Sequence, residues 1–515
     1  MDWKPPRRAI AGSVAAGLIV LIGAGGAVAA AREHHPTAVE DAAPRTACPV
    51  SLASPPASPG YAKTPWPTEH ADVWRTHATS TGLPSTVGRV DLTTVSATLP
   101  EEPVWGYVGT GGKLYVIGGS PYLLNMFTQL MLGASTARIP TLTAGTLAAS
   151  RRVTPYVAQI DARTMSVRVL RLAGGTTVNY TGGLLVHANG FLYAVVRSVL
   201  YKIDPRTFSV VASTPLPLAP TQSGQPNQMT VYNGIVATRD GDLILKGWAS
   251  SGGGPDAPGT LLRVNPNDLS IKASVVATGI SSARMAIVDS GGTEYLYFPG
   301  GTRSLRFALG PTTFTLDGAW TATYLDPSSG DTMASSDVYM GRGGLFANNT
   351  SPQATTPMRV FAQGATVGAP LASFTAFTGS QVGWNFFMMA GDPYRSGVAV
   401  VQDQATGRLS GYRACGGGVS FQKLWENDDV RSSAGMAVNY RAGHLYTDDH
   451  QCSGRVCQLY FVVLDLRTGR QLARVKVKGT EPSMGQIFVG RDAVYYIAAQ
   501  TGRRQGFITR ITAGR

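Results

Sequence analysis

From residue 86 to the C-terminus one unit recurs, and it constrains the fold more than any other feature of this 515-residue chain. An alternating apolar strand ends in an acidic or amide residue, a turn follows, and a second strand begins. Copies read VAQIDARTMSVRVLRL (157–172), LYKIDPRTFSVVAS (200–213), LLRVNPNDLSIKAS (261–274), SLRFALGPTTFTL (304–316), MRVFAQGATVGAPLAS (358–373), VAVVQDQATGRLSGYRA (398–414) and FVVLDLRTGRQLARVKV (461–477). Their turns start about 51 residues apart, close to the length of a propeller blade. Asp161, Asp204, Asn265, Asp403 and Asp465 each offer a side-chain oxygen to backbone N–H groups two or three residues on. Gly407 and Gly469 supply left-handed conformations. Repetition makes these carboxylates turn formers rather than catalysts.

A second apolar strand precedes each unit: KLYVIGG (113–119), FLYAVV (191–196), DLILKGW (242–248), YLYFPGG (295–301), GLFANN (344–349), WNFFMMAG (384–391), HLYTDD (444–449) and VYYIAAQ (494–500). The last is followed only by FITRIT (507–512), so its fourth strand must come from VGRVDLTTVSATL (87–99). Pairing strands from both chain ends removes an open sheet edge. The fold expected is all-β: an eight-bladed β-propeller, or seven-bladed if 304–373 is one irregular blade, preceded by a single N-terminal hydrophobic helix. Composition agrees, with 61 Gly, 32 Pro and only 15% charged residues.

The strand–Asp–x–x–Thr–(Gly)–strand unit, seen most fully at Asp465, Thr468 and Gly469, resembles the PQQ-like (quinoprotein-type, YVTN-type) β-propeller repeats over about residues 86–515. The resemblance implies the propeller fold. The tryptophan that quinoprotein enzymes place after each such turn is absent, and no adjacent Cys-Cys pair exists. PQQ is therefore not an expected cofactor.

Residues 9–31 carry no charge and follow Lys4, Arg7 and Arg8. As a helix this run spans about 34 Å, enough for a hydrocarbon layer of ~30 Å. Two readings stand: an uncleaved anchor, or a signal peptide cut after Ala27-Val28-Ala29. The expected address is the cell membrane, single-pass with the propeller outside, or alternatively secretion. Residues 32–85 form a Pro-rich spacer that this composition predicts to be extended and unable to bury a core. Residues 86–515 are the propeller. In an oxidising compartment the four cysteines form disulfides. Cys452 and Cys457 bracket a short loop, and elimination pairs Cys48 with Cys415.

Antiparallel connectivity puts second-to-third-strand loops on one face and the Asp-Thr turns on the other. The long insertions at 118–152 and 247–260, the 348–357 loop and the Cys452–Cys457 loop all belong to the first face. Insertion 118–152 carries Leu123, Leu124, Phe127, Leu130 and Met131 at helical spacing. Around the channel, Met229, Met285, Met340, Met436 and Met484 read as packing between tapering blades. The polar residues beside them, Asn227, Gln228, Arg284, Asp337, Arg431, Ser433 and Glu481, are the candidate ligand-binding rim. His444, Asp448, Asp449 and His450 are the candidate site for a divalent cation.

No metalloprotease, phosphate-loop or nucleophile-elbow motif occurs. The formal charge is +13, and residues 466–515 hold ten Lys or Arg against Glu481 and Asp492. Anionic lipid or an acidic wall polymer is the partner expected there, besides the membrane itself at 9–31. Nucleic acid is not expected. The function expected is a non-enzymatic, membrane-tethered extracytoplasmic scaffold binding a ligand or protein. The alternative is an enzyme using the channel, either a metal-dependent hydrolase or lactonase, or a quinone-dependent oxidoreductase.

Overall fold

A computed structural model describes residues 48–50, 52–119, 154–174, 181–221, 223–228, 230–249, 258–277, 279, 284–299, 303–323, 338–341, 344–347, 358–362, 370–377, 387–403, 406–415, 420–433, 435–453, 456–500 and 503–514. The N-terminal hydrophobic segment, Asp337 and the helical pattern at 118–152 lie outside them. Among the described residues no helix is long and apolar enough to cross a membrane.

The described chain builds eight four-stranded antiparallel blades. Blade 1 is Pro103–Val108, Lys113–Gly118, Tyr156–Asp161 and Val167–Arg171. Blade 2 is Thr181–Val186, Leu192–Val196, Val199–Asp204 and Ser209–Pro215, and blade 3 is Thr230–Ala237, Leu243–Ala249, Gly259–Val264 and Ile271–Ala277. Blade 4 is Ala286–Ser290, Thr293–Pro299, Arg303–Gly310 and Thr313–Thr323. Blade 5 is Val338–Gly341, Gly344–Ala347, Met358–Ala362 and Pro370–Phe374. Blade 6 is Phe387–Asp392, Val398–Asp403, Leu409–Cys415 and Ser420–Asn427, and blade 7 is Ala437–Asn439, His444–Ser453, Val456–Asp465 and Gln471–Val477. Blade 8 takes Glu481–Val489, Val494–Gln500 and Arg503–Ala513 from the C-terminus and Leu92–Pro100 from the N-terminal side. Those last two strands pair from Leu92↔Ala513 to Pro100↔Gln505, which closes the ring as the repeat count requires. Blades 4 and 5 are separate sheets, so the seven-bladed alternative falls.

Burial follows strand position. In blade 1 the inner strand Pro103–Val108 is buried throughout, because neighbouring blades cover both its faces, whereas the outer Val167–Arg171 is mostly exposed. Met285 and Met436 are buried, as the packing reading requires.

The turns show the chemistry their sequence implies. Asp161 Oδ1 accepts from the Arg163 and Thr164 amides at 3.1 and 2.9 Å, and Asp465 Oδ1 from those of Arg467 and Thr468 at 3.0 and 2.9 Å. The amide four residues after the first turn residue closes each turn, as in Met165 N to Asp161 O at 2.8 Å. That residue is left-handed in five copies: Met165, Phe208, Leu269, Gly407 and Gly469 have φ of 59°, 56°, 64°, 78° and 69°. The non-glycine members accept strain of roughly 1 kcal/mol or more each, and their side chains are buried between blades in return.

Blade 6 departs from the expected register. WNFFMMAG was expected to supply a second strand, yet Phe387–Asp392 is the inner one. The Asp403 turn therefore joins the second and third strands and lies on the face opposite to the Asp161, Asp204 and Asp465 turns. Asp392 explains the shift. It accepts from the Tyr394 and Arg395 amides at 3.0 and 2.8 Å and from the Ser396 amide at 2.8 Å, turning the chain at once.

The Pro-rich segment also differs from expectation. Residues 60–83 do not behave as a spacer that buries nothing. They run across the inner strands on the face that carries the first-to-second-strand turns, here called the turn face. Backbone bonds join Val186 N to Pro67 O and Val108 N to Trp66 O, both at 2.8 Å, and Gly391 N to Thr76 O at 3.0 Å. Val438 N donates to His77 O at 2.8 Å, and Ala78–Thr79 pairs in parallel with the inner strand of blade 7. Tyr61, Trp66, Val73, Ala78 and Leu83 are buried. The composition argument failed because prolines fix the backbone without preventing the residues between them from packing. Both disulfides form as expected, Cys48–Cys415 and Cys452–Cys457. The first ties the start of this segment to blade 6.

Candidate functional site

The plug formed by residues 60–83 brings charge into the channel. Arg284 Nε donates to Glu69 Oε2 at 2.5 Å, with both side chains almost wholly buried. The Arg284 guanidinium carbon lies 5.2 Å from the Trp105 ring centroid. Arg75 donates to three backbone carbonyls, those of Met285 at 2.9 Å, Glu69 at 2.6 Å and Ile235 at 3.3 Å, and so spans the plug and blades 3 and 4. His70 stacks on His77 with ring centroids 4.0 Å apart. Four plug residues are left-handed: His70, Ala71, Arg75 and His77, with φ of 61°, 74°, 62° and 59°. Such conformations persist only where the surroundings over-determine them.

Electrostatics in this space are set by desolvation. Burial lowers the Lys246 ammonium well below its usual range, with Arg284 adding to the effect and Glu69 opposing it. Burial likewise holds His77 neutral down to about 4 and pushes His70 well below its ordinary value, helped by His77 and the two arginines. His77 Nδ1 faces Met436 O at 2.9 Å, so that nitrogen is the donor and Nε2 the acceptor. Glu69 Oε1, His77 Nε2 and Trp105 Nε1 have no hydrogen-bond partner among the described residues.

The rim residues do not converge on one point. Arg284 alone sits in the channel cluster. Asn227 and Gln228 lie in the connection into blade 3, where the Asn227 carbonyl accepts from Thr230 N at 3.0 Å. Glu481 is half-buried at the start of blade 8. Arg431 and Ser433 instead meet two residues of the proposed cation set. Ser433 donates both its amide, at 2.8 Å, and its hydroxyl to Asp448, and the Arg431 amide donates to Asp449 Oδ1 at 3.1 Å.

The four proposed cation ligands are not brought together. They share the strand His444–Ser453, whose rise separates His444 from His450 by about 20 Å. Asp448 is occupied by Ser433 and by Tyr496, whose hydroxyl lies at 3.3 Å, and burial raises its pKa to about 6. Asp449 forms an ion pair with Arg474 at 2.6 Å. His450 Nε2 lies 3.3 Å from Cys452 Sγ, but that sulfur is bonded to Cys457 and is no thiolate ligand. Period-two alternation alone argued against this set, because adjacent Asp448 and Asp449 point to opposite faces.

Sequence reasoning missed the plug residues Glu69, His70, Arg75 and His77. One signal was available: residues 66–77 concentrate two tryptophans, two histidines and three charged residues inside an otherwise Pro/Ala/Thr-rich stretch.

No family model and no curated protein matches the sequence. Solved structures do. The quinohemoprotein alcohol dehydrogenase of Comamonas testosteroni superposes with a TM-score of 0.55 at 12% identity, covering 88% of this chain and 81% of that one. Quinohemoprotein alcohol dehydrogenase ADHIIG of Pseudomonas putida HK5 gives 0.56 at 10% identity, covering 89% and 81%.

The chain shares the β-propeller fold of these structures. At such identities the likeness carries the fold alone. A flat quinone cofactor stacks on an accessible ring, whereas Trp105 is 5% exposed, with His70 at 5.4 Å and Arg284 at 5.2 Å from it. The Trp105 ring is covered and offers no face on which such a cofactor could stack.

Proposed function

We propose that the protein is a non-enzymatic, extracytoplasmic scaffold, tethered by residues 9–31, that binds a ligand or protein through the face carrying its second-to-third-strand loops. One observation carries this reading: the chain's own residues 60–83 occupy the channel from the turn face, and Glu69 and Arg75 are spent on the channel wall. A propeller enzyme keeps that space for its substrate. The loop face retains the long connections, which are the segments free to vary around a rigid frame. Metal-dependent hydrolysis finds no assembled ligand set among the described residues, since the sole His/Cys/Asp/Glu group of three within reach is His450 with the disulfide-bonded Cys452 and Cys457.

The test is direct. The full chain, purified in detergent, is assayed against primary alcohols with PQQ and Ca2+, and against lactones and esters with divalent cations. No turnover above the blank is expected. Saturable turnover that depends on added PQQ or divalent cation would establish the enzymatic alternative. Protease added to intact cells should reach the propeller, and protection until lysis would refute the external address.

A further inference from the structure

The turn face carries an arc of arginines without carboxylate partners among the described residues. Arg395, Arg441 and Arg491 lie in the first turns of blades 6, 7 and 8, Arg467 and Arg470 in the outer turn of blade 7, and Arg163 in the outer turn of blade 1. All six are exposed, and none forms an ion pair with a described residue. Three of them ring a cleft of about 260 Å3 between blades 6 and 7, which Tyr440, Asp392 and Asp465 also line. Arg395 is held there by a 2.7 Å bond from its Nη1 to Arg441 O. The two carboxylates are already committed. Asp392 accepts three turn amides, and Asp465 Oδ1 accepts two amides and the Thr468 hydroxyl. The cleft thus presents three guanidinium groups and an aromatic wall beside two carboxylates, whose charge the three cations outnumber.

A second, independent observation concerns where the chain enters. Cys48 is bonded to Cys415 at the end of the third strand of blade 6, and Ala53 N donates to Pro393 O at 2.8 Å in the first turn of that blade. Both points lie on the turn face. The uncharged run ends at residue 31, so sixteen residues separate it from Cys48. Fully extended they reach about 55 Å. A tether of bounded reach raises the effective concentration of its anchoring surface at the folded part it enters.

We propose that the turn face docks on anionic headgroups of the membrane that carries the chain, with a lipid phosphate seated among Arg395, Arg441 and Arg467. Guanidinium groups bind phosphate oxygens bidentately, and each contributes about fivefold to partition onto an anionic surface. The loop face then points away from the bilayer. This deepens the tethered-scaffold reading and rests on its tether.

The experiment reconstitutes the full chain in nanodiscs of phosphatidylcholine alone or with phosphatidylglycerol at about one lipid in three, and follows amide hydrogen exchange. Turns 393–397, 440–443 and 466–470 are expected to slow several-fold in phosphatidylglycerol discs only, and the protection should fall with salt. The Arg395→Gln/Arg441→Gln/Arg467→Gln variant should lose it while exchange in the inner strands stays unchanged, which shows that the variant folds. Equal exchange in both discs, or slowing at the Cys452–Cys457 hairpin instead, overturns the docking. Equal protection by inorganic phosphate or soluble polyglycerol phosphate in neutral discs overturns the lipid assignment. Retention of the chain in discs through a high-salt wash is scored separately. Loss of retention refutes the tether, and retention without turn protection refutes the docked face alone.

Discussion

Glu69 and Arg284 meet at 2.5 Å inside the channel, one from the plug and the other from the entry to blade 4. Removing either leaves the other charge buried without its partner. Glu69→Gln and Arg284→Gln are each expected to cost about 3–5 kcal/mol in urea unfolding. The double variant should cost less than the sum of the singles. Strict additivity would show that the pair does not hold the plug.

The two disulfides should differ in weight. Cys48–Cys415 closes a separation of 367 residues and Cys452–Cys457 one of 5. Loop-closure entropy puts the first near the upper end, about 5 kcal/mol, and the second near 2 kcal/mol. Double Cys→Ser variants compared by denaturant midpoint test the ranking, which a larger loss from the short bridge would reverse.

Two buried groups give opposite slopes of stability with pH. Burial raises Asp448 from 3.8 to about 6, so the native state binds its proton where the unfolded state has released it. Its contribution therefore declines as pH rises from about 4 to 6, by roughly 3 kcal/mol at 1.36 kcal/mol per unit. His77 is lowered from 6.5 to about 4, so the unfolded state binds protons first and stability is lost as pH falls across that window. Asp448→Asn should remove the first slope and His77→Gln the second, each read from thermal midpoints between pH 4 and 7.

Left-handed glycines separate strain from space. At Gly111 (φ 62°) an added Cβ meets nothing within 4 Å, whereas at Gly469 (φ 69°) it would lie 2.6 Å from the Trp425 ring. Gly111→Ala should cost about 1 kcal/mol from backbone strain alone. Gly469→Ala should cost clearly more, because Trp425 is also fixed by its 3.0 Å bond to Leu466 O. Equal midpoint shifts would refute the steric half of this account.

The ring and its closure were legible because they rest on local signals. Alternation marks strands, and the Asp161- and Asp465-type turns repeat their own hydrogen bonds. What escaped depends on long-range pairing. Phe387–Asp392 reads like any second strand until its Gly391 amide is seen bonding to the plug. The left-handed roles of Met165, Phe208 and Leu269 were hidden because residue type does not announce φ when burial outweighs strain. The channel cluster was invisible for the same reason: Glu69 and Arg284 stand 215 positions apart, and no periodicity links them.

The closure of blade 8 orders events during synthesis. Strand Leu92–Pro100 is made long before its partner Arg503–Ala513, since Thr93 and Thr512, which bond across the pair, stand 419 positions apart. The early-made segment 60–83 likewise touches blades from both halves of the chain. No nascent fragment that stops before Arg503 can therefore reach an edge-free ring. Until Arg503–Ala513 is made, Leu92–Pro100 stays unpaired, and a stop before that strand would yield an aggregation-prone product rather than a smaller working one.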